Sequence, residues 1–122
     1  MQYRRFGRLG WSVSDIGYGM WGLAGWTGSD DAETAAALEQ SVALGCNFFD
    51  TAWAYGNGHS EQLLGPLVRN HPDKELYVAT KVPPKNFKWP SRREFTLDEC
   101  FPPDHIREIG RASCRERVCY AV

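Results

Sequence analysis

NFFDTAWAYGNGHSE, residues 47–61, is the stretch that decides how this chain is organised. Two phenylalanines lead into Asp50, Tyr55 follows five residues later, and a glycine-containing segment precedes a helix-start pattern at Ser60. A short apolar run that ends in a polar, glycine-containing segment predicts a buried strand followed by a loop. The stretch therefore places a carboxylate and a phenol where a strand gives way to a loop, which is a common position for functional side chains.

On either side of this stretch, the pattern alternates between strands and helices. Residues 3–14 contain two short segments around a Gly-Arg-Leu-Gly turn, which predicts a β-hairpin. Further strands are predicted at residues 15–21, 47–52 and 76–82, the last stopped by Pro83 and Pro84. Helices are predicted between these strands. The resulting order, a hairpin followed by β-α-β-α-β, indicates an α/β fold with a parallel sheet, either open and doubly wound or the beginning of a barrel.

The two helices between the strands have recognisable ends. Asp30 and Glu33 form an N-terminal capping pattern, apolar residues follow on one stripe, and Gly45 supplies the stop. The second helix, residues 60–70, is predicted to be capped by Ser60. Pro66 removes one of its hydrogen bonds and is expected to kink it.

The ends of two predicted strands carry a charged pair. Asp50 and Lys81 both lie at the carboxyl ends of their strands, where parallel α/β folds hold their chemistry. If the strands are neighbours, the two side chains meet, and Tyr55 can fold back over them. A lysine cation favours the phenolate form of a tyrosine, so this arrangement suits a general acid. Taken one at a time, these residues have ordinary structural roles. An aspartate before a turn is usually a cap, a tyrosine usually packs, and a lysine at a strand end is usually solvated.

A second motif competes with this interpretation. Gly17, Gly19 and Gly22 match the G-x-G-x-x-G pattern of dinucleotide-binding units, which requires a helix that opens at the third glycine. Residues 23–28 intervene before the first helix-start pattern, so the context is wrong. The glycines instead indicate close backbone approach at a strand end.

Composition narrows the class of protein. The 122 residues are 43% apolar and 24% charged with a formal net charge of −1, and no basic stripe or apolar span predicts a nucleic-acid or membrane partner. The N-terminus lacks the pattern of a signal peptide, which predicts a cytoplasmic location. The cysteines lack metal-ligand spacing, so free thiols and no metal site are expected, with a disulfide framework as the alternative; they are Cys46, Cys100, Cys114 and Cys119.

These motifs together resemble a known family. DTAWAYGNGHSEQLLG at 50–65, with GYGMWGL before it and VATKV after it, is similar to the N-terminal part of an aldo-keto reductase, and the similarity extends over about residues 2–106. The resemblance implies an eight-stranded (β/α) barrel, of which this chain holds the bottom hairpin and about three β/α units. It also implies reduction of aldehydes and ketones with NADPH as cofactor.

The resemblance assigns roles to individual residues. It makes Tyr55 the proton donor to a small-molecule carbonyl substrate, with Asp50 and Lys81 as its supporting pair. Gly19, Met20 and Trp21 match the segment beside the nicotinamide and substrate, and Asp50 is also counted with this cofactor-binding group.

Parts of the family pattern have no counterpart in these residues. The family's catalytic histidine follows the next strand, and His59, His71 and His105 lie in positions that do not replace it. The C-terminal half of the barrel, which holds the adenosine end of the cofactor, is not represented either. The residues alone are therefore not expected to catalyse reduction. The functional alternatives are a non-catalytic, redox-sensing subunit of the same family and an open-sheet dinucleotide-binding module.

The last forty residues contain a long loop and an unusual end. Residues 82–104 predict a loop over the active site, in which Phe87, Trp89 and Phe95 are candidates for the substrate pocket. A helix is predicted to begin near Pro103. From residue 109 the helical stripe is lost, and residues 109–122 resemble the translation of artificial sequencing-adapter DNA. We therefore expect residues 1–108 to be the reductase portion and 109–122 to be a non-native tail, with a natural short terminus as the alternative.

Overall fold

The computed structural model describes residues 1–25 and 28–115. Its strands are β1 (Tyr3–Phe6), β2 (Trp11–Ser14), β3 (Tyr18–Gly19), β4 (Phe48–Asp50) and β5 (Tyr77–Ala79). Its α-helices are α1 (Asp31–Ala43), α2 (His59–Asn70), α3 (Leu97–Cys100) and α4 (Pro103–Arg115). Short 3₁₀ turns lie at Gly7–Leu9 and Trp21–Leu23.

The strands form two sheets. The antiparallel β1–β2 hairpin is confirmed, with Phe6 opposite Trp11. The other three strands are parallel in the order β3-β4-β5, and α1 and α2 are the crossovers between them. In register, Gly19 lies beside Asp50 and Asp50 beside Ala79. The predicted α/β fold is therefore confirmed, and within the described residues the parallel sheet is open, as expected of the first part of a barrel.

Helix α1 has the ends that the sequence predicts. The Asp30 carboxylate accepts hydrogen bonds from the backbone N–H groups of Ala32 and Glu33, as an N-cap does. After the helix, Gly45 has φ +93°, and a Cβ there would lie 2.8 Å from the Tyr3 hydroxyl. Only glycine fits this turn, because both the backbone conformation and the close approach exclude a side chain.

Helix α2 begins differently from the prediction. Gly58, in the left-handed conformation, is the N-cap, and no side chain caps the helix. The predicted cap, Ser60, is instead fully buried inside the first turn. A serine at the start of a helical stripe gives no sign of whether its hydroxyl caps the helix or points into the protein. Pro66 lies inside α2, which continues to Asn70.

The apolar core lies between the parallel sheet and helices α1 and α2. Phe49 from the central strand and Met20 after β3 are fully buried, together with Leu38 of α1 and Leu64 of α2. The cluster is completed by Val42, Cys46, Leu67, Val68 and Leu76. Because both helices pack on one face of the sheet, the strand ends are held at a common level.

The structure departs from three predictions, two in the C-terminal part of the described chain and one about the cysteines. The loop after β5 is interrupted by the single-turn helix α3, and α4 begins at Pro103 as predicted but continues to Arg115. The helical stripe therefore does not stop at residue 109, since Ile109 and Ser113 are buried on one face of α4. The expectation that all cysteines are free is also wrong. Cys46 and Cys100 are free and buried, but Cys114 is disulfide-bonded, and Cys119 lies outside the described residues.

No helix of the described residues combines the length and the apolar character needed to cross a membrane. Within residues 1–25 and 28–115 there is also no group of three or more histidine, cysteine or acidic side chains that could hold a metal ion.

Candidate active site

An ion pair joins the ends of β4 and β5. The Lys81 ammonium Nζ donates to Asp50 Oδ1 at 2.5 Å and to the carbonyl oxygen of Thr51 at 2.8 Å. The pairing follows from the parallel register, which brings two consecutive strand ends to the same edge. Both side chains are about half exposed, at 50% for Lys81 and 43% for Asp50. The ammonium is thus fixed by two oxygens while it remains open to the space above the sheet.

Tyr55 completes the group that the sequence predicts. It lies in the turn after β4, where its backbone N–H donates to the carbonyl oxygen of Ala52 at 3.0 Å. The Lys81 ammonium lies 5.3 Å from the centroid of the Tyr55 ring. A cation within about 6 Å of a ring centroid interacts with the ring. The structure therefore brings Asp50, Tyr55 and Lys81 together.

The segment after β3 borders the same site. A Cβ placed on Gly19 would meet nothing within 4 Å, so the space above this residue is open. The Met20 side chain is fully buried in the core, and its backbone N–H donates to the carbonyl oxygen of Asp50 at 2.9 Å. Trp21 is 61% exposed. Of the three residues in the predicted cofactor segment, Met20 can therefore face the site only through its backbone.

The glycine motif of dinucleotide-binding units does not form here. Trp21–Leu23 is a short 3₁₀ turn, and the first α-helix of the described residues begins at Asp31. The alternative of an open-sheet module required an α-helix that starts at Gly22, and this requirement is not met. The glycine at position 17 has a packing role instead, because a Cβ there would lie 3.2 Å from the Phe48 ring.

A cleft of about 550 Å³ opens beside Tyr55 and Lys81. Its other lining residues are Trp21, Ala52, Ala54, Val82, Pro83, Pro84, Trp89 and Phe101. The walls are mainly apolar, and the ammonium and the phenol meet there. Such a cleft suits a small organic molecule with one polar group.

The loop aromatics divide between two places. Trp89 lines the cleft as predicted, whereas Phe87 packs between Trp53 and Trp89, with ring centroids 6.0 and 6.3 Å away. Phe95 lines an adjoining cavity of about 320 Å³. Phe101 lines both cavities and was not predicted, because it follows the short helix α3 that the sequence pattern did not reveal.

The three histidines are engaged elsewhere. His59 Nε2 lies 2.9 Å from Asp31 and His71 Nε2 lies 2.7 Å from Glu39, both in pairs that link α1 to the α2 region. His105 Nε2 lies 2.8 Å from the carbonyl oxygen of Pro83. These contacts agree with the expectation that none of them replaces the family's catalytic histidine.

Several polar residues near the site were missed by sequence reasoning. Thr51, Ser60 and Glu61 are almost fully buried, and Thr80 bonds to Glu61. Ser60 and Glu61 were interpreted as part of a helix start, which is the usual meaning of this pattern. Their position directly after the Asp50–Tyr55 loop was the available signal.

The aspartate, lysine and tyrosine at the carboxyl edge of this parallel sheet are the residues that the sequence resemblance singled out. A sequence model described as Aldo/keto reductase family matches residues 15–117. The chain belongs to the aldo/keto reductase family, and the resemblance seen in the sequence is confirmed.

Known proteins show the extent of the similarity. A protein of Oryza sativa subsp. japonica described as "Probable voltage-gated potassium channel subunit beta" is 40% identical over 84 residues, which cover 67% of this chain and 25% of that protein. The structure superposes on an aldo-keto reductase from Bacillus halodurans, solved in its holo form, with a TM-score of 0.73 and 26% identity over 95% of this chain and 36% of the other.

A third comparison concerns a cofactor complex. An aldo-keto reductase from Klebsiella pneumoniae, solved in complex with NADPH, has a TM-score of 0.67 and 23% identity, with 94% of this chain and 34% of that chain covered. It shares the fold. The chain spans about a quarter of the length of the curated relatives it matches.

Proposed function

We propose that the protein containing this chain reduces aldehydes or ketones to alcohols with NADPH, and that Tyr55 donates the proton. The observation that carries the proposal is that Tyr55 and Lys81 lie together in the lining of an apolar cleft, with Asp50 paired to the Lys81 ammonium. Oxidoreductase activity of the family agrees with it. The residues described here would supply the donor side of the site, and the remaining barrel would supply the rest.

The residues beside the cleft fit a nicotinamide ring. The open space above Gly19 allows a flat ring to approach the backbone, and the exposed Trp21 indole lies next to it in the chain. Asp50, in register with Gly19, borders the same space. Gly19, Trp21, Asp50 and the Met20 backbone would hold this end of the cofactor. When bound, NADPH supplies the hydride.

The chain's own contribution is a proton and the means to release it. The Tyr55 O–H bond breaks as the proton moves to the carbonyl oxygen, which becomes the hydroxyl oxygen of the alcohol. Tyr55 is left as a phenolate. The Lys81 ammonium stabilises that negative charge. Asp50 Oδ1 and the Thr51 carbonyl oxygen hold the ammonium in place, so no reorganisation is needed during transfer.

Replacement of Tyr55 tests the proposal. Tyr55→Phe in the full-length protein keeps the ring and removes the donated proton, so benzaldehyde reduction should fall by at least roughly a hundredfold. The dissociation constant for NADPH, measured by fluorescence quenching, should stay nearly unchanged. Tyr77→Phe is the matched control, because it makes the same change at the opposite end of the same sheet. A Tyr55→Phe protein that keeps most of its turnover rules out the role.

A second candidate is a non-catalytic binding subunit of the same family. The description of the rice relative, a channel subunit, favours it. Such a subunit would bind NADPH without turnover, and Tyr55→Phe would then have no measurable effect. Assay of the full-length protein with a panel of aldehydes distinguishes the two candidates.

A further inference from the structure

A buried carboxylate lies beneath the candidate active site. Glu61, in the first turn of α2, is 1% exposed, and its Oε1 accepts hydrogen bonds from the Thr80 hydroxyl at 2.5 Å and the Ser113 hydroxyl at 2.7 Å. Burial of a carboxylate is costly unless hydrogen bonds compensate it. An apolar side chain would fill the same place without that cost. Glu61 is therefore held in place by its two hydroxyl donors and not by apolar packing alone.

The neighbouring residue makes a second buried link. Ser60 is fully buried, and its hydroxyl donates to the carbonyl oxygen of Met20 at 3.4 Å. Its Oγ lies 2.9 Å from Thr51 Oγ1, which donates in this arrangement. A single assignment of the hydroxyl hydrogens thus satisfies both contacts.

The partners of these two residues are neighbours of the proposed catalytic group. Met20 separates Gly19 from Trp21. Thr51 follows Asp50, and its carbonyl oxygen holds the Lys81 ammonium. Thr80 directly precedes Lys81. The first turn of α2 therefore contacts all three strand ends that carry the site, through side chains shielded from water.

We infer that Glu61 and Ser60 are positioning residues for the reduction. Their hydrogen bonds fix the ends of β3, β4 and β5 relative to one another, so that the Lys81 ammonium stays on Asp50 and beside Tyr55. Neither residue touches the cleft in the way Tyr55 does, and neither exchanges a proton with a substrate. The inference rests on the proposed function, since it concerns the geometry of the same group.

A matched pair of variants at Thr80 tests the inference. In the full-length protein, Thr80→Val keeps the shape of the side chain and removes the hydroxyl that donates a hydrogen bond to Glu61. The kcat for benzaldehyde should fall by roughly tenfold to a hundredfold, because small displacements of a reacting group have effects of this size. The dissociation constant for NADPH should change little. Thr80→Ser restores the hydroxyl and should restore most of the kcat.

Two further measurements separate positioning from a general loss of structure. Ser41→Ala removes a part-buried hydroxyl from the last turn of α1, at the end of the sheet that the hairpin covers, and should leave kcat unaltered. In a Lys81→Met background, Thr80→Val should add little further loss, because the group it positions has already been removed. A defect of folding would lower activity equally in either background.

The outcomes are decisive in both directions. Full kcat in Thr80→Val, equal losses in Thr80→Val and Thr80→Ser, or a loss that persists undiminished in the Lys81→Met background would each overturn the inference. If Thr80→Val does not fold by circular dichroism, Ser60→Ala takes its place, with the same expected loss of kcat and the same background test. Failure of the proposed function appears separately, as a Tyr55→Phe protein with normal turnover.

Discussion

The two ends of the parallel sheet are built from different interactions. At the carboxyl end, a half-exposed ion pair and a tyrosine ring lie beside an apolar cleft. At the amino end, the hairpin covers the strands with rings. Trp11 stacks on Tyr77 with centroids 4.8 Å apart, and Phe6 packs on Phe48 at 5.5 Å. The Asn47 side chain joins hairpin and sheet by two hydrogen bonds.

This difference separates function from stability. Packed rings and hydrogen-bonded loops contribute to the free energy of unfolding whether or not a ligand is present. A half-exposed ion pair contributes only about 0–1 kcal/mol. The Lys81–Asp50 pair therefore adds little to stability, and under the proposed function its role is to present a charge to the cleft. Changes at the carboxyl end should alter turnover, and changes at the amino end should alter stability.

Separation of these residues from the rest of a barrel should have the largest effect. Residues 1–122 expressed alone should show no cooperative thermal unfolding and no NADPH-dependent reduction of benzaldehyde. Strands β3 and β5 are the two edges of the three-stranded sheet, and their open edges promote aggregation. The apolar surface that these residues bury on their own must offset a backbone entropy cost of about 1–2 kcal/mol per ordered residue. Calorimetry measures the thermal unfolding, and light scattering measures the oligomeric state. A sharp unfolding transition of a monomer would contradict this expectation.

Loss of the ammonium should be the next largest effect. Lys81→Met in the full-length protein should lower kcat by roughly a hundredfold, because the phenolate loses its nearby cation. The midpoint of urea unfolding should move little. Lys74→Met, the same change near the amino end, is the control, and it should leave kcat unaltered. If both variants lower kcat alike, the division between the two ends is wrong.

The amino end should respond in the opposite sense. Asn47→Ala removes the acceptor of the Ser14 N–H at 2.7 Å and the donor to the Ser12 carbonyl oxygen at 2.9 Å. We expect a loss of about 1–3 kcal/mol in the free energy of unfolding, measured with urea, and an unchanged kcat. Asn70→Ala, at the exposed end of α2, should cost much less. A stable Asn47→Ala protein with a low kcat would reverse the comparison.

The smallest effect concerns a titration at the amino end. Burial, and a 3.0 Å hydrogen bond donated to Glu75, raise the pKa of the Tyr77 phenol above its usual 10.0. The neutral form of the Tyr77 phenol is thus favoured in the folded protein. The stability that this phenol contributes is fully present when the pH is below its ordinary pKa, and is lost as the pH rises through the raised pKa. An ultraviolet titration of the protein, with the titration of the Tyr77→Phe variant subtracted, measures the pKa of the Tyr77 phenol. Glu75→Gln should lower the midpoint towards the ordinary value, and an unmoved midpoint would exclude the contribution of Glu75.

The origin of the last residues stays a prediction. The structure gives no helix end at residue 109, because α4 continues to Arg115 and Ser113 reaches Glu61. A helix period is easily continued by a segment of any origin, since charged residues tolerate the exposed face. Sequencing of genomic DNA across the codon for Glu108 decides the matter. A genomic sequence that encodes IGRASCRERVCYAV would show that residues 109–122 are native.

The sequence by itself determined the order of elements and the catalytic candidates. Strand alternation, the Asp30 cap and the Gly45 stop are local signals, and each depends on a few consecutive residues. The motif around Asp50 and Tyr55 is long enough to identify the family. Lys81 could be predicted because parallel strands in register bring their carboxyl ends to one edge.

Only the tertiary structure decided which polar groups are buried and what they contact. The sequence pattern made Ser60 a cap and gave Glu61 no role, whereas packing of α2 against the strand ends turned both inward. It also placed Met20 in the core and brought Phe101 to the cleft. These outcomes depend on how elements distant in sequence pack together. Glu61 is bonded to one residue that lies 19 positions away in sequence and to another that lies 52 positions away, and local periodicity carries no sign of such bonds.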